Sequence, residues 1–265
     1  IIDYFNNNTV ERILNKNQKP KIITATNVFA HIENPNLLIK LVKKIMNKNS
    51  VFITESHYLL SLIKTLQYDT IYHEHLRYYH LSSLVKLFNL NNLEVFHAKK
   101  IPTHGGSIRV YASRKGIFKK TKSFKKIIEQ EKESEINKMQ TFKIFKKKVV
   151  ESKYKLLTML IELRKKKKKI FAVGAPSRAS TLINYIGIDK DLVECILEVS
   201  SSNKLNKYLP GTLIPVVDEK IIQKSVPDYL LILSWHIKDE LIKVFRKKKF
   251  KGKFIIPLPT PKIID

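Results

Sequence analysis

Short apolar runs that close on a polar residue alternate along this chain with segments of helical period, and that alternation restricts it to an α/β architecture. Residues 21–27 (Lys-Ile-Ile-Thr-Ala-Thr-Asn) read as a buried strand. Pro35 starts a helix reaching about Met46, with Leu37, Leu38, Leu41, Val42 and Ile45 at helical spacing. Residues 50–55 form a second strand ending on Glu55, followed by a helix at 82–90 and strands at 93–98 and 108–113. From 121 to 168 the pattern is helical, with a break expected near Glu151. Phe142, Phe145, Val149, Leu156, Leu160 and Leu163 mark an apolar stripe that reads as core or interdomain packing. A second α/β unit then begins with a strand at 170–173, the turn Gly174-Ala175-Pro176-Ser177 and a helix at 178–185. Strands at 194–199, 229–234 and 253–256 and a helix after Trp235 complete it. The expected domains are residues 1–115, a helical hinge at 116–168, and residues 169–265.

The length of 265 residues suffices for two modest domains, and an apolar share of 43% excludes wholesale disorder. No run approaches the roughly 18 consecutive apolar residues of a membrane span, so no membrane partner is expected. A lone cysteine, Cys195, excludes a disulfide framework and a Cys-rich zinc site, and a reducing, cytoplasmic setting is the simplest reading. The chain opens on Ile1, and its true start is expected upstream. A formal net charge of +27 invites nucleic acid as a partner. The lysines, however, fall in short blocks at 146–148, 165–169 and 247–249, between apolar helix positions or at helix ends. No RNA-binding aromatic signature accompanies them. Solvated surface is the expected reading, with an anionic substrate such as a nucleotide diphosphate beside it, no nucleic acid, and a monomer.

Residues 69–76 (Asp-Thr-Ile-Tyr-His-Glu-His-Leu) carry the densest chemistry. Groups that titrate near neutral pH are costly to cluster unless they move protons or bind a metal. His104-Gly105-Gly106-Ser107 adds another imidazole beside flexible backbone, which suits either close approach to a ligand or a plain turn. On a regular strand Tyr72 and Glu74 would face away from His75, so the three converge only on a turn or irregular loop. A metal site from His73, His75, His80 and His104 is a further reading, although the spacing shows no closed set, and none is expected. Glu55 reads equally as a supporting group or a surface carboxylate. The Gly174–Ser177 turn offers backbone N–H groups to an anion, or is merely a small-residue turn.

Asn27-Val28-Phe29-Ala30-His31, residues 69–76, His104–Ser107 with Arg109, Gly174-Ala175-Pro176, residues 182–188, residues 208–212 with Ile214-Pro215, and Trp235 with Glu240 occur in one order. That series resembles the S-adenosylmethionine-dependent sugar C-methyltransferases, which act on nucleotide-linked 4-keto deoxysugars, from about residue 20 to the C-terminus. The resemblance implies a partial Rossmann-type methyltransferase sheet followed by a second Rossmann-like α/β domain. It also implies that a zinc-binding N-terminal module and the Gly-rich first cofactor loop are missing here, so that the fragment alone is expected to be inactive. By resemblance, S-adenosylmethionine lies beside Asn27 and Phe29, His31 is a site residue, and His75 is the base that forms a sugar enolate for methylation, at C3. Glu74 can orient that imidazole, and Tyr72 can hydrogen-bond the enolate oxygen.

His104, Gly105, Gly106, Ser107, Gly174, Pro176, Arg178 and Tyr208 are the expected contacts to the nucleotide sugar. The family's Gly-Ala-Pro-Ala-Lys-Gly-Asn reads Gly174-Ala175-Pro176-Ser177-Arg178-Ala179-Ser180 here, with Arg178 keeping a cation able to grip a diphosphate bidentately. The usual Trp-Asn is Trp235-His236, and the strand-end Asp is Glu198. A catalytically silent nucleotide-sugar-binding protein and a basic nucleic-acid binder remain as alternatives.

Overall fold

In the computed structural model, which describes residues 1–16 and 19–265, the chain crosses three times between two units. One unit holds Ile1–Lys64 and His73–Thr141, the other Thr65–Tyr72 and Phe142–Asp265. The boundary at Tyr72 and His73 falls inside the polar octapeptide.

The first unit comprises α1 (Asn7–Leu14), β1 (Ile22–Thr26), α2 (Pro35–Ile45), β2 (Val51–His57), α3 (Leu59–Lys64), α4 (Leu81–Leu90), β3 (Leu93–Ile101), β4 (Ser107–Arg114) and α5 (Lys122–Glu133). Its sheet runs β1-β2-β4-β3, with β1 and β2 parallel and β4 antiparallel to both neighbours. The parallel pair needs the α2 crossover, whereas β3 and β4 close through a short turn. Helix α2 starts as its sequence dictates: the Asn34 side chain accepts from Leu37 N and Pro35 takes the first turn, where a missing N–H costs nothing. Its inward face is Ile39, Leu41, Val42 and Ile45, while Leu37 turns outward. Strand β1 is not the buried strand its apolar run suggests. It lies at the sheet edge with Ile22 63% exposed, because among the described residues no strand pairs its outer side. The core is aromatic, with the Phe29 ring against Phe52, Tyr79 and Phe88.

Helix α4 follows the octapeptide loop, and its first turn is held from α5. Glu131, 1% exposed, accepts from the backbone N–H of Leu81 (2.5 Å) and Ser82 (2.9 Å), from Ser82 Oγ (2.6 Å) and from Tyr58 Oη (3.0 Å). His80 Nδ1 lies 3.2 Å from the same carboxylate. These are the orphan donors of a helix N-terminus, where a negative charge is also favoured by the helix dipole. Burial alone would raise the Glu131 carboxyl, but the bonds from His80, Ser82 and the Ser82 and Leu81 backbone outweigh it and hold it below the usual range. A depressed value in the folded state stabilises the fold above the ordinary glutamate value of about 4.3, and that stability is lost as pH falls through the lower folded value. Glu131→Gln is therefore expected to cost about 1.5–3 kcal/mol in urea unfolding at pH 7. The difference should shrink as both proteins are taken to acid; a pH-independent difference would argue against the charged cap.

The second unit comprises α6 (Met139–Lys165, part of this unit from Phe142), β5 (Ile170–Val173), α7 (Ser177–Ile186), β6 (Ile196–Glu198), β7 (Lys207–Tyr208), β8 (Pro215–Asp218), β9 (Tyr229–Ile232), α8 (Lys238–Lys247), β10 (Lys253–Ile256) and β11 (Lys262–Ile264). Helix α6 runs through Glu151 without interruption; the break lies at residues 134–138 instead. Val149, Leu156, Leu160 and Leu163 of its stripe are buried, Phe145 packs partly, and Phe142 is 37% exposed. Among the described residues the sheet runs β11-β10-β9-β5-β6-β8-β7, with β10, β9, β5, β6 and β8 parallel and both edge strands reversed. The chain winds outward from β5 to β6 and β8, then returns to the other side of β5 with β9 and β10. This is Rossmann-like winding, and its switch point lies between β5 and β9, where open α/β sheets place ligands. Both sheets are thus of the expected α/β type. The short strands β7, β8 and β11 escape the sequence pattern, because two to four residues carry too little periodicity. No helix of the described residues is long and apolar enough to cross a membrane.

Candidate functional site

In the first unit, chemistry gathers at the carboxyl ends of β1 and β2. Immediately after β1, Asn27 takes a left-handed conformation (φ 56°), which Asn tolerates better than bulkier residues, and its N–H donates to Glu55 O at 2.8 Å. Phe29 then plunges into the core with no exposed surface, so its ring packs and does not face a cofactor. The turn that follows presents His31. The octapeptide loop is tied to this turn: Leu76 N donates to Ala30 O (2.9 Å), and Arg77 donates from Nη1 to Ile32 O (2.5 Å) and from Nη2 to Glu33 O (2.8 Å).

This docking brings imidazoles together. The His75 ring centre lies 5.0 Å from that of His31 and 5.0 Å from that of His57, the last residue of β2. His57 is in turn 5.7 Å from His104, and Tyr78 is 6.1 Å from His75. Asn27 Nδ2 stands 3.3 Å from His104 Nε2. The four-histidine metal set does not assemble, because His80 is turned to Glu131. Among the described residues no group of three or more His, Cys, Asp or Glu could hold a metal ion.

Glu55 is a buried anchor, not a surface carboxylate, at 4% exposure. Its Oε2 accepts from Arg109 Nε (2.8 Å) and Nη2 (2.7 Å), and its Oε1 from Thr103 Oγ1 (3.1 Å). The hydrogen bond to Glu55 raises the Arg109 guanidinium value further, so it stays charged. Thr103 opens the tight turn Thr103–Gly105, which swings His104 into a left-handed conformation (φ 55°). Gly106, at φ 120°, is required by space as well as conformation: a Cβ there would sit 2.6 Å from both Cβ and Oγ of Ser61. Ser107 is 1% exposed and its Oγ donates to Thr103 O at 3.2 Å, so it braces the turn and offers little to a substrate. Glu74 and His75 lie on an irregular loop of this unit, Glu74 exposed and His75 half-buried. Tyr72 belongs to the other unit.

In the second unit, the turn after β5 is built for a tight passage. Gly174 has φ 83°, and a Cβ would meet Ser234 Oγ at 2.7 Å. Ala175 N donates to Glu198 Oε1 (2.6 Å), and Lys204 Nζ donates to Ala175 O (2.6 Å). Arg178 does not reach for a diphosphate with its fork. Nε and Nη2 donate to Asp69 Oδ2 (2.7 Å) and Oδ1 (2.8 Å), and Trp235 Nε1 donates to the same Oδ2 (2.8 Å). The guanidinium also lies 5.0 Å over the Trp235 ring. Bidentate pairing in a buried setting consumes the geometry that phosphate recognition would need. Beside the start of α7, a cavity of about 220 Å³ is lined by Pro176, Ser177, Ser180, Lys204, Lys207 and Tyr208. The cations available to an anion there are Lys204 and Lys207, which the motif reading passed over. The turn at 208–212 is tethered by Asn184 Nδ2 donating to Pro210 O (2.9 Å), which favours a structural part for it.

His57 was the other omission. A single histidine after Ser56 carries no local signal; only its place at the carboxyl end of a parallel strand could have flagged it.

The sequence was compared with known families and proteins. A family model described as the C-methyltransferase C-terminal domain matches residues 102–259, and one described as a methyltransferase domain matches residues 2–98. C-methyltransferase NovU of Streptomyces niveus is 27% identical over 259 residues, which is 96% of this chain and 61% of that protein.

Proposed function

For a chain that belongs to the C-methyltransferase C-terminal domain family, we propose methyl transfer to a carbon, most simply C3, of a nucleotide-diphospho-4-keto-deoxysugar, with His75 as the general base. One observation carries this reading: the His75 ring is held 5.0 Å from both His31 and His57 at the carboxyl ends of a parallel strand pair. A ketone acidifies the hydrogen on the neighbouring carbon, and a neutral imidazole is the side chain suited to take it near pH 7. Tyr78 and His31 border the base, and a hydroxyl or imidazolium N–H there can stabilise the enolate oxygen. Glu74, exposed and next to His75 in the chain, can stabilise the protonated base after transfer.

S-adenosylmethionine, when bound, supplies the electrophilic methyl group. The residues present suit it at Asn27, whose amide oxygen is buried without a protein donor and so leaves an acceptor for a ligand. In the second unit, Gly174, Pro176, Lys204, Lys207 and Tyr208 are proposed to receive a diphosphate anion, with the lysines in the cationic role assigned by motif to Arg178.

The test is incubation of the full-length gene product with labelled methyl donor and the keto sugar, followed by product analysis. Label on a sugar carbon next to the ketone is expected. Label on oxygen or nitrogen, or nucleotide-sugar binding with no transfer at all, would overturn the proposal.

A further inference from the structure

The proposed base is not alone, and its neighbours compete with it for protons. His57 ends β2 with its backbone paired to Ser107 of β4, so its ring is presented from rigid sheet. That ring meets His75 edge-on (5.0 Å, 64°) and His104 likewise (5.7 Å, 63°). His75 also meets His31 (5.0 Å, 55°). The result is a row of four imidazoles, His31, His75, His57 and His104, contributed by the turn after β1, the octapeptide loop, β2 and the turn before β4.

We infer that His57 is a positioning residue acting through His75: by holding or sharing the proton that the row takes up, it keeps His75 neutral and ready as a base. This rests on the reading of His75 as the base. Two imidazolium ions at such a separation repel, so a charge held on His57 disfavours a second on His75. Other groups near the row are Glu55, Glu74, Tyr78 and Asn27. Glu55 shares a face of β2 with His57, but its charge is matched by Arg109. Glu74 adjoins His75 in the chain but is exposed and screened by water. Tyr78 faces His75 as a neutral phenol. Asn27 Nδ2 opposite His104 Nε2 suits a neutral imidazole that accepts at that atom.

Proton NMR titration of the imidazoles in this protein tests the inference without any substrate. The resonances are assigned by single His→Asn substitutions. In His57→Phe, which keeps a ring against both neighbours, and in His57→Asn, the His75 midpoint is expected to rise by at least about half a pH unit. His97, hydrogen-bonded to Thr121 Oγ1 at 2.8 Å on β3, serves as the control and should titrate unchanged if the fold is intact. An unmoved His75 midpoint in the folded variants overturns the inference. So does a shift in His57→Asn that is missing in His57→Phe, since that marks a packing effect. In the methyl-transfer assay the acidic limb of the rate profile, where the base becomes protonated, should move to higher pH by the same amount, with the KM for sugar unchanged. If the NMR shift appears but His75→Ala retains full activity, the base assignment fails while the coupling stands.

Discussion

His75→Ala is expected to lower the turnover of methyl transfer by ~10²–10⁴-fold, the range that a positioned general base contributes. The effect should fall on kcat, with KM for the sugar little changed, because the imidazole acts on a proton that moves only in the transition state. Its geometry supports a specific loss rather than a general collapse. The loop bearing His75 is held by Leu76 N on Ala30 O and by the Arg77 fork on Ile32 and Glu33, none of which involves the imidazole. The direct readout is exchange of the substrate's carbon-bound hydrogen with deuterated water, measured with and without the methyl donor. Parent and variant should differ in that exchange as much as in overall turnover. A variant that turns over at the parent rate would remove His75 from the mechanism.

The largest stability effect is expected at Asp69. Its carboxylate is fully buried and accepts from Arg178 twice and from Trp235 once. Asp69→Ala leaves a guanidinium buried without its partner and an indole N–H without an acceptor. Breaking one side of a buried pair costs about 3–5 kcal/mol. The single tryptophan of the chain is Trp235 itself, so its fluorescence during denaturant unfolding reports the second unit directly. Replacing both partners together, Asp69→Leu with Arg178→Met, should recover much of the loss, because two desolvated charges are then removed rather than one. A single-variant loss under about 1 kcal/mol would mean that water relaxes the site, and would reopen Arg178 as a ligand for phosphate.

Much of this was legible in advance, and the pattern of misses is instructive. Most strand and helix positions from Pro35 to Ile256, though not α3, β7, β8 or the break between α5 and α6, followed from periods and caps that need only a few neighbouring residues. The octapeptide stood out because its residue types are expensive to place together. Arg178, expected at a ligand, is paired with Asp69 in the structure, and a cation at a strand–turn–helix looks the same in sequence whether it serves a ligand or a carboxylate. Its partner is 109 positions away, and Trp235 is 166 positions from Asp69. Glu55 was undecided between anchor and surface because burial is a property of the packed sheet. Phe29 and Ser107 sat within motif segments, and their neighbours' chemistry hid the fact that each is core.

What the amino-acid order determined alone is the α/β alternation, the presence of a loop dense in titratable groups, and the small-residue turns that only left-handed or side-chain-free backbone can make. Local sterics and hydrogen bonding are enough for each of these. The tertiary structure alone decided which imidazole stands beside His75, that Glu55 binds Arg109, and that Arg178 is occupied by Asp69. Those outcomes depend on distances between segments remote in the chain, which no short-range preference encodes.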